Sequence, residues 1–275
     1  MKRKFKHFLA ATFIFTFALL STTSVMAAQK SKITINSNKT YKSYDVTSDG
    51  KKDKFLIKFK PEKYLYFYVN GKKCYSSNAK DTFRIQAELC TLKNKKTYIH
   101  LKKISPVNDY LSSDVFLTYK SGKFITSVNT LSHMKGAHHG RFESFINKIG
   151  SNYIQIMERA CFNDIGTLQY LVTYKQSGHK LVPTSKTYNI TYKKPSAYFP
   201  LKKNKWTSTE NFHLIDQENQ VMFNNPWGDT FSLYKIKFEN KTACVYMKNL
   251  NSGLSGWYLC PNQYRGSYFL ESVFI

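Results

Sequence analysis

Apolar and polar positions alternate with a period of two through most of the chain. Phe55-Leu-Ile-Lys-Phe59 places Phe55, Ile57 and Phe59 on one side, and Phe231-Ser-Leu-Tyr-Lys-Ile-Lys-Phe238 and Ala243-Cys-Val-Tyr-Met247 repeat the alternation. Such a rhythm marks a strand with one buried face, and Val, Ile, Tyr and Phe suit a pleated surface. It predicts strands at Ile33–Ile35, Phe55–Phe59, Tyr64–Val69, Phe83–Leu89, Tyr98–Lys102, Val115–Tyr119 and Lys123–Val128. Further strands are expected at Tyr153–Met157, Leu168–Tyr174 and Tyr188–Tyr192. Asn70-Gly71, directly after Tyr64–Val69, is a strong two-residue hairpin signal. Arg141–Lys148 reads equally as a short helix or a strand.

The turns divide the chain. Pro195–Pro200 (Pro-Ser-Ala-Tyr-Phe-Pro) is a candidate linker, and all three tryptophans, Trp206, Trp227 and Trp257, follow it. Five or six short strands beyond the linker describe a small barrel. Before it, Asp49–Lys58 lies over Lys93–Lys102 as a weak repeat of turn and strand. A period of roughly 40–45 residues suits a four-stranded blade, with chance similarity between lysine-rich hairpins as the alternative. The fold expected is all-β: a propeller-like or meander β-repeat domain over 28–197 and a small barrel over 198–275.

Residues 1–27 stand outside this pattern. Met1–His7 is a basic n-region, Phe8–Leu20 an apolar run, and Val25-Met-Ala27 a small-residue cleavage site. That is the layout of a signal peptide, and the apolar run falls short of the ~20 residues of a membrane span. No second run of that length occurs, so the expected mature protein has no transmembrane span and is secreted, extracellular or associated with the cell wall. Over the whole chain 42 Lys and Arg face 17 Asp and Glu, a net charge of +25. An excess of that size favours anionic partners, although dispersed lysines on a solvated surface give the same total. No block of five like charges marks a basic tail in the mature chain, and nucleic acid is not the expected partner.

Export permits disulfides. Cys74 with Cys90, and Cys244 with Cys260, share one sequence interval suited to neighbouring strands, which leaves Cys161 over. Five unpaired thiols are the other reading, and spacing does not choose between them.

The most specific chemistry lies in Asp45-Val-Thr-Ser-Asp-Gly-Lys-Lys-Asp53. Calcium takes six to eight oxygens, and closely spaced carboxylates repel one another unless an ion or water relieves them. The side chains of Asp45, Thr47, Asp49 and Asp53, with the carbonyl of Lys51, are the candidate ligands, and Gly50 permits the turn. A solvated turn without an ion is the alternative. An EF-hand is excluded, because Leu56 stands where the closing Glu would be and the flanks read as strand. The loop resembles the D-x-D-x-D-G-x-x-D loop of integrin-α-type (FG-GAP) β-propeller repeats, with Thr47 at the third position. It is similar in particular to exported proteins of clostridia-like bacteria that open on such a loop. Gly256-Trp257 after an Asn/Gly turn resembles the strand start of bacterial SH3-like domains, which implies an SH3-like barrel over 198–275. Such domains often bind cell-wall peptides, and Trp227, Trp257 and Tyr258 are the candidate ligand contacts.

Catalytic constellations are not evident: there is no G-x-S-x-G, Walker A or zinc-protease motif. His133, His138 and His139 lie in a basic stretch without ligand spacing, Cys161 has no surrounding motif, and Glu158 and Asp164 have no evident reason to converge. The expectation is a non-enzymatic binding protein for anionic wall polymer, glycan or peptide, with one calcium-stabilised loop. The alternatives are a structural or adhesion component, and a secreted enzyme of unrecognised type that uses His133–His139 or Cys161.

Overall fold

Short alternating segments punctuated by tight turns build strands almost exclusively. Asn70 (φ 51°) and Gly71 (φ 84°) both take the left-handed conformation of a two-residue hairpin, as their dipeptide predicts. A computed structural model of the chain describes residues 31–107, 111–134, 142–192, 204–216, 218, 220–261 and 267–272. The leader 1–27, the linker Pro195–Pro200 and His138 and His139 lie outside the described residues.

The first half contains β1 (Lys32–Thr34), β2 (Thr40–Tyr44), β3 (Asp53–Lys60), β4 (Tyr64–Val69) and β5 (Lys72–Asn78). β6 (Arg84–Thr91), β7 (Thr97–Ile104), β8 (Leu111–Lys120) and β9 (Lys123–Asn129) follow, then a 3-10 turn at Thr130–Met134. The second half holds β10 (Phe142–Ile149), β11 (Tyr153–Phe162), β12 (Gly166–Ser177), β13 (Lys180–Pro183) and β14 (Thr187–Ile190). It ends with β15 (Trp206–Thr207), β16 (Phe212–Ile215), β17 (Val221–Asn225), β18 (Thr230–Glu239), β19 (Thr242–Asn249) and β20 (Ser255–Leu259). The ambiguous segment at Arg141–Lys148 is strand β10 from Phe142 onward, and no α-helix occurs among the described residues.

Three antiparallel sheets result. One is the meander β2-β3-β4-β5, the second runs β1-β6-β7-β8-β9, and the third has eleven strands, nine along the path β10-β11-β12-β14-β18-β19-β20-β16-β17 with β13 paired to β12 and β15 to β18 beside it. The first packs on the second through Phe55, Ile57, Leu65 and Phe67 against Leu89, Ile99, Leu101 and Leu117. The opposite face of the second sheet sends Cys90, Tyr98 and Phe116 into a larger core with Phe142, Ile156, Tyr170, Trp206 and Phe231. The second sheet is therefore covered on both faces, and seven of the eight residues of β7 are buried.

The all-β expectation is met, with open antiparallel sheets and no closed barrel among the described residues. β18 pairs with both β14 and β19, so the C-terminal strands continue a sheet that begins before residue 197. Tyr188 and Trp206 likewise share one core, and residues 31–275 form one compact unit. No disulfide joins the five cysteines, all of which are buried. Cys74 sits in the core between the first two sheets and Cys90 in the core on the other side of the second. Cys244 pairs in register with Leu259, while the N–H of Cys260 donates to the Ala243 carbonyl, so the alternation turns the two thiols to opposite faces of the β19–β20 ladder.

Candidate functional site

The period of two in β4 buries Leu65, Phe67 and Val69 and turns Tyr64, Tyr66 and Tyr68 outward on the far side of the meander. Register sets Lys60, Lys58 and Leu56 of β3 opposite these tyrosines, and Ser76 and Lys73 of β5 on their other flank. The Tyr64 and Tyr66 rings stack with centroids 4.8 Å apart and planes 4° from parallel. Lys73 Nζ stands 4.8 Å from the Tyr66 centroid and Lys58 Nζ 5.3 Å from that of Tyr68. Cations over ring faces hold both partners in place. The product is a row of half-exposed aromatic rings bordered by exposed ammonium groups.

A smaller patch of the same chemistry lies on β18–β20. Lys235, Tyr246 and Trp257 align across the register, the Tyr246 and Trp257 centroids are 5.2 Å apart, and Lys237 Nζ is 4.6 Å from the Trp257 centroid. Of the three predicted ligand contacts, only Trp257 belongs to this surface. Tyr258, next in the strand, points into the core against Phe212 and donates its hydroxyl to Asp164. Trp227 is 71% exposed in a turn. Adjacent strand residues face opposite ways, so Trp257 and Tyr258 do not contact one ligand together.

The aspartate loop closes on itself. Asp53 is buried, and its Oδ2 accepts the N–H groups of Val46 and Thr47 at 2.9 and 3.0 Å and the Thr47 hydroxyl at 3.1 Å. Its Oδ1 accepts Asn70 Nδ2 at 2.9 Å. Asp45 accepts the N–H groups of Asp49 at 3.1 Å and Gly50 at 2.8 Å, and Asp49 accepts that of Lys51 at 2.8 Å. The loop is also sewn to the start of β7, where the Thr97 N–H donates to Ser48 Oγ and its hydroxyl to the Asp45 carbonyl, both at 2.9 Å. Backbone N–H groups thus relieve the carboxylate repulsion. Among the described residues no group of three His, Cys, Asp or Glu side chains converges, and the carboxylates of Asp45, Asp49 and Asp53 are engaged by the loop's own N–H groups.

A charged network lies on the face of the second sheet turned toward β10. Register brings Glu88 of β6 opposite His100 of β7, and Lys102 opposite Asp114 of β8. His100 Nε2 is 2.7 Å from Asp114 Oδ1, its Nδ1 is 3.6 Å from Glu88 Oε2, and its ring stacks on Phe116 at 4.3 Å. Ser144 of β10 donates its hydroxyl to Asp114, and Lys102 Nζ donates to the Ser144 carbonyl at 2.6 Å. Burial pushes the His100 pKa down, but the Asp114 carboxylate outweighs it and the net shift is upward. Burial likewise opposes ionisation of Asp114, yet His100 and Ser144 hold its carboxyl below the ordinary range. The facing His100 ring, with Lys32 beside it, carries Glu88 down to about 2.

Glu88 opens onto a groove of about 440 Å3, walled by Lys32 and Thr34 of β1, Gln86 of β6, Lys102 of β7 and Phe145 of β10. Lys32 Nζ pairs with Glu88 Oε1 at 3.3 Å. Ser144 offers no nucleophile here: it is buried and its proton is directed at Asp114.

Other titratable groups singled out in the sequence are also held in the interior. His133 Nε2 lies 2.9 Å from Glu158 Oε2, and the Tyr174 hydroxyl donates to Glu158 Oε1 at 3.2 Å. Cys161 is buried on β11. Glu158 and Asp164 do not act as a pair; each meets its own tyrosine, Tyr174 and Tyr258 respectively. The sequence reading missed the tyrosine row as a single surface, although Tyr-x-Tyr-x-Tyr at strand period signals it. It missed the Glu88–His100–Asp114–Ser144 network altogether, because its members come from four strands. No protein-family model, curated protein or solved structure matches this chain.

Proposed function

We propose that this protein is an exported, non-catalytic binding module for an anionic glycan of the cell surface, held on the outer face of β3–β5. The observation that carries the reading is the stacked Tyr64–Tyr66 pair, with Lys73 poised over Tyr66 and Lys58 over the adjoining Tyr68. A pyranose ring presents flat C–H faces that pack on a tyrosine ring, and the lysines beside it suit carboxylate, phosphate or sulfate groups on the same chain. The net charge of +25 supports long-range attraction of such a polymer. The Tyr246–Trp257–Lys237 patch gives a second, smaller contact of the same kind.

The test is a titration with heparin oligosaccharides and with polyglycerol phosphate at rising salt, using oligothymidylate as the comparison. At least one of the first two is expected to bind with an affinity that falls steeply with ionic strength. Tyr66→Ala and Lys73→Ala should each weaken it by about tenfold, on the order of 1.4 kcal/mol, without lowering the melting temperature. Absence of binding at low salt, or binding indifferent to Tyr66→Ala, would refute the proposal. Tighter binding of oligothymidylate would assign the tyrosine row to single-stranded nucleic acid, whose bases stack in the same way.

A further inference from the structure

The groove beside Glu88 has the construction of a binding site and lies away from the tyrosine row. The row faces outward from the first sheet, whereas the groove borders the face of the second sheet that looks toward β10. At about 440 Å3 it falls within the roughly 300–1,000 Å3 of small-molecule sites. Its carboxylate is flanked on two sides, paired with Lys32 at 3.3 Å and facing the His100 ring nitrogen at 3.6 Å. His100 in turn is anchored by Asp114, which Ser144 holds from β10. Burying a histidine, an aspartate and a lysine in one network carries a large desolvation cost. What the network delivers at the surface is one oriented, ionised carboxylate in a cleft, and oriented groups with perturbed ionisation in clefts mark functional sites.

The surroundings of Glu88 define the ligand. Lys32 is already paired with Glu88, and Lys102 with the Ser144 carbonyl, so neither cation waits for an anion. Glu88 retains acceptor lone pairs and Lys32 retains N–H donors, a combination that serves vicinal hydroxyl groups. Phe145, a residue 43% exposed, forms a wall, with Lys102 Nζ 5.1 Å from its ring centroid. Thr34 and Gln86 add neutral polar groups at the rim.

We propose that this groove binds a neutral saccharide ring, with Glu88 and Lys32 engaging its hydroxyl groups and Phe145 stacking on its face. The site is independent of the anionic-glycan surface and takes a ligand of different charge. The experiment is saturation-transfer NMR and calorimetry on the full chain with methyl glucoside, methyl galactoside and N-acetylglucosamine. Binding in the millimolar range is expected for at least one, weakened about tenfold or more by Glu88→Gln and separately by Phe145→Ala. Tyr66→Ala should leave it unchanged, which keeps the outcome distinct from that of the tyrosine row. Phe145 is exposed enough for its truncation to preserve the fold, so the pair of variants stays informative if Glu88→Gln melts early. Absence of binding by all three sugars, or binding in both variants as tight as in the wild type, overturns the assignment. Binding of free phenylalanine that is lost in Glu88→Gln also overturns it, since the Glu88–Lys32 pair would then serve an amino-acid zwitterion.

Discussion

Asp114 shows how much a single side chain can hold in a doubly covered sheet. It is fully buried, pairs with His100 and accepts the Ser144 hydroxyl, so it ties the second sheet to the third. Asp114→Asn leaves His100 and Lys102 without their nearest countercharge, and breaking a buried ion pair from one side costs about 3–5 kcal/mol. Urea denaturation of the variant should show a loss of that size; a change below about 1 kcal/mol would mean that the pair contributes no net stability. The pH response has a definite sign. The folded pKa of His100 is raised above its ordinary 6.5, so its contribution is complete below that value and disappears as pH rises through the folded pKa. Glu88 and Asp114 are depressed, so their contributions are complete above the ordinary carboxylate values and disappear in acid, for Glu88 as pH falls from 4.5 toward about 2. The wild type should lose stability at both ends of the range, and the alkaline loss attributable to His100 should be absent in His100→Gln.

At the scale of the element, the β2–β3 connection is organised by Asp53 rather than by all three aspartates equally. Asp53 receives two backbone N–H groups, the Thr47 hydroxyl and the Asn70 amide, while Asp49 is exposed and receives only the Lys51 N–H. Asp53→Ala should therefore cost about 1–3 kcal/mol by leaving buried donors unsatisfied, against no more than about 0.5 kcal/mol for Asp49→Ala. Because the loop closes on its own N–H groups, melting in chelator and in millimolar calcium should coincide. A rise of several degrees with calcium, abolished in Asp49→Ala, would show an ion in the loop.

The strands themselves were legible: Phe83–Leu89 and Tyr98–Lys102 fall within one residue of the starts of Arg84–Thr91 and Thr97–Ile104. Their partners were not. Lys32 of β1 pairs with Cys90 of β6, and Asn189 of β14 with Lys235 of β18, contacts that no local pattern encodes. The charged network stayed hidden for a related reason. A period of two identifies one buried face, Ile99 and Leu101 in β7, and says nothing about what covers His100 and Lys102 on the other.

At the scale of the molecule, described residues from both sides of Pro195–Pro200 in the sequence share one core. Phe142, Ile156, Tyr170 and Tyr188 before it share one cluster with Trp206, Phe231, Val245 and Phe269 after it. Calorimetry should accordingly give one cooperative transition for residues 31–275; two resolved transitions would show that the halves melt separately. The interior thiols carry this cooperativity into chemistry. Burial pushes Cys74 and Cys244 up to about 11, and Cys90 and Cys260 higher, so at neutral pH they are protonated and sheltered from oxidants and alkylating agents alike. A thiol reagent consumes them only as fast as the sheets part. Cys74, between the first two sheets, and Cys260, in the larger core, thus act as two internal clocks, each timing how often its own interior opens to water.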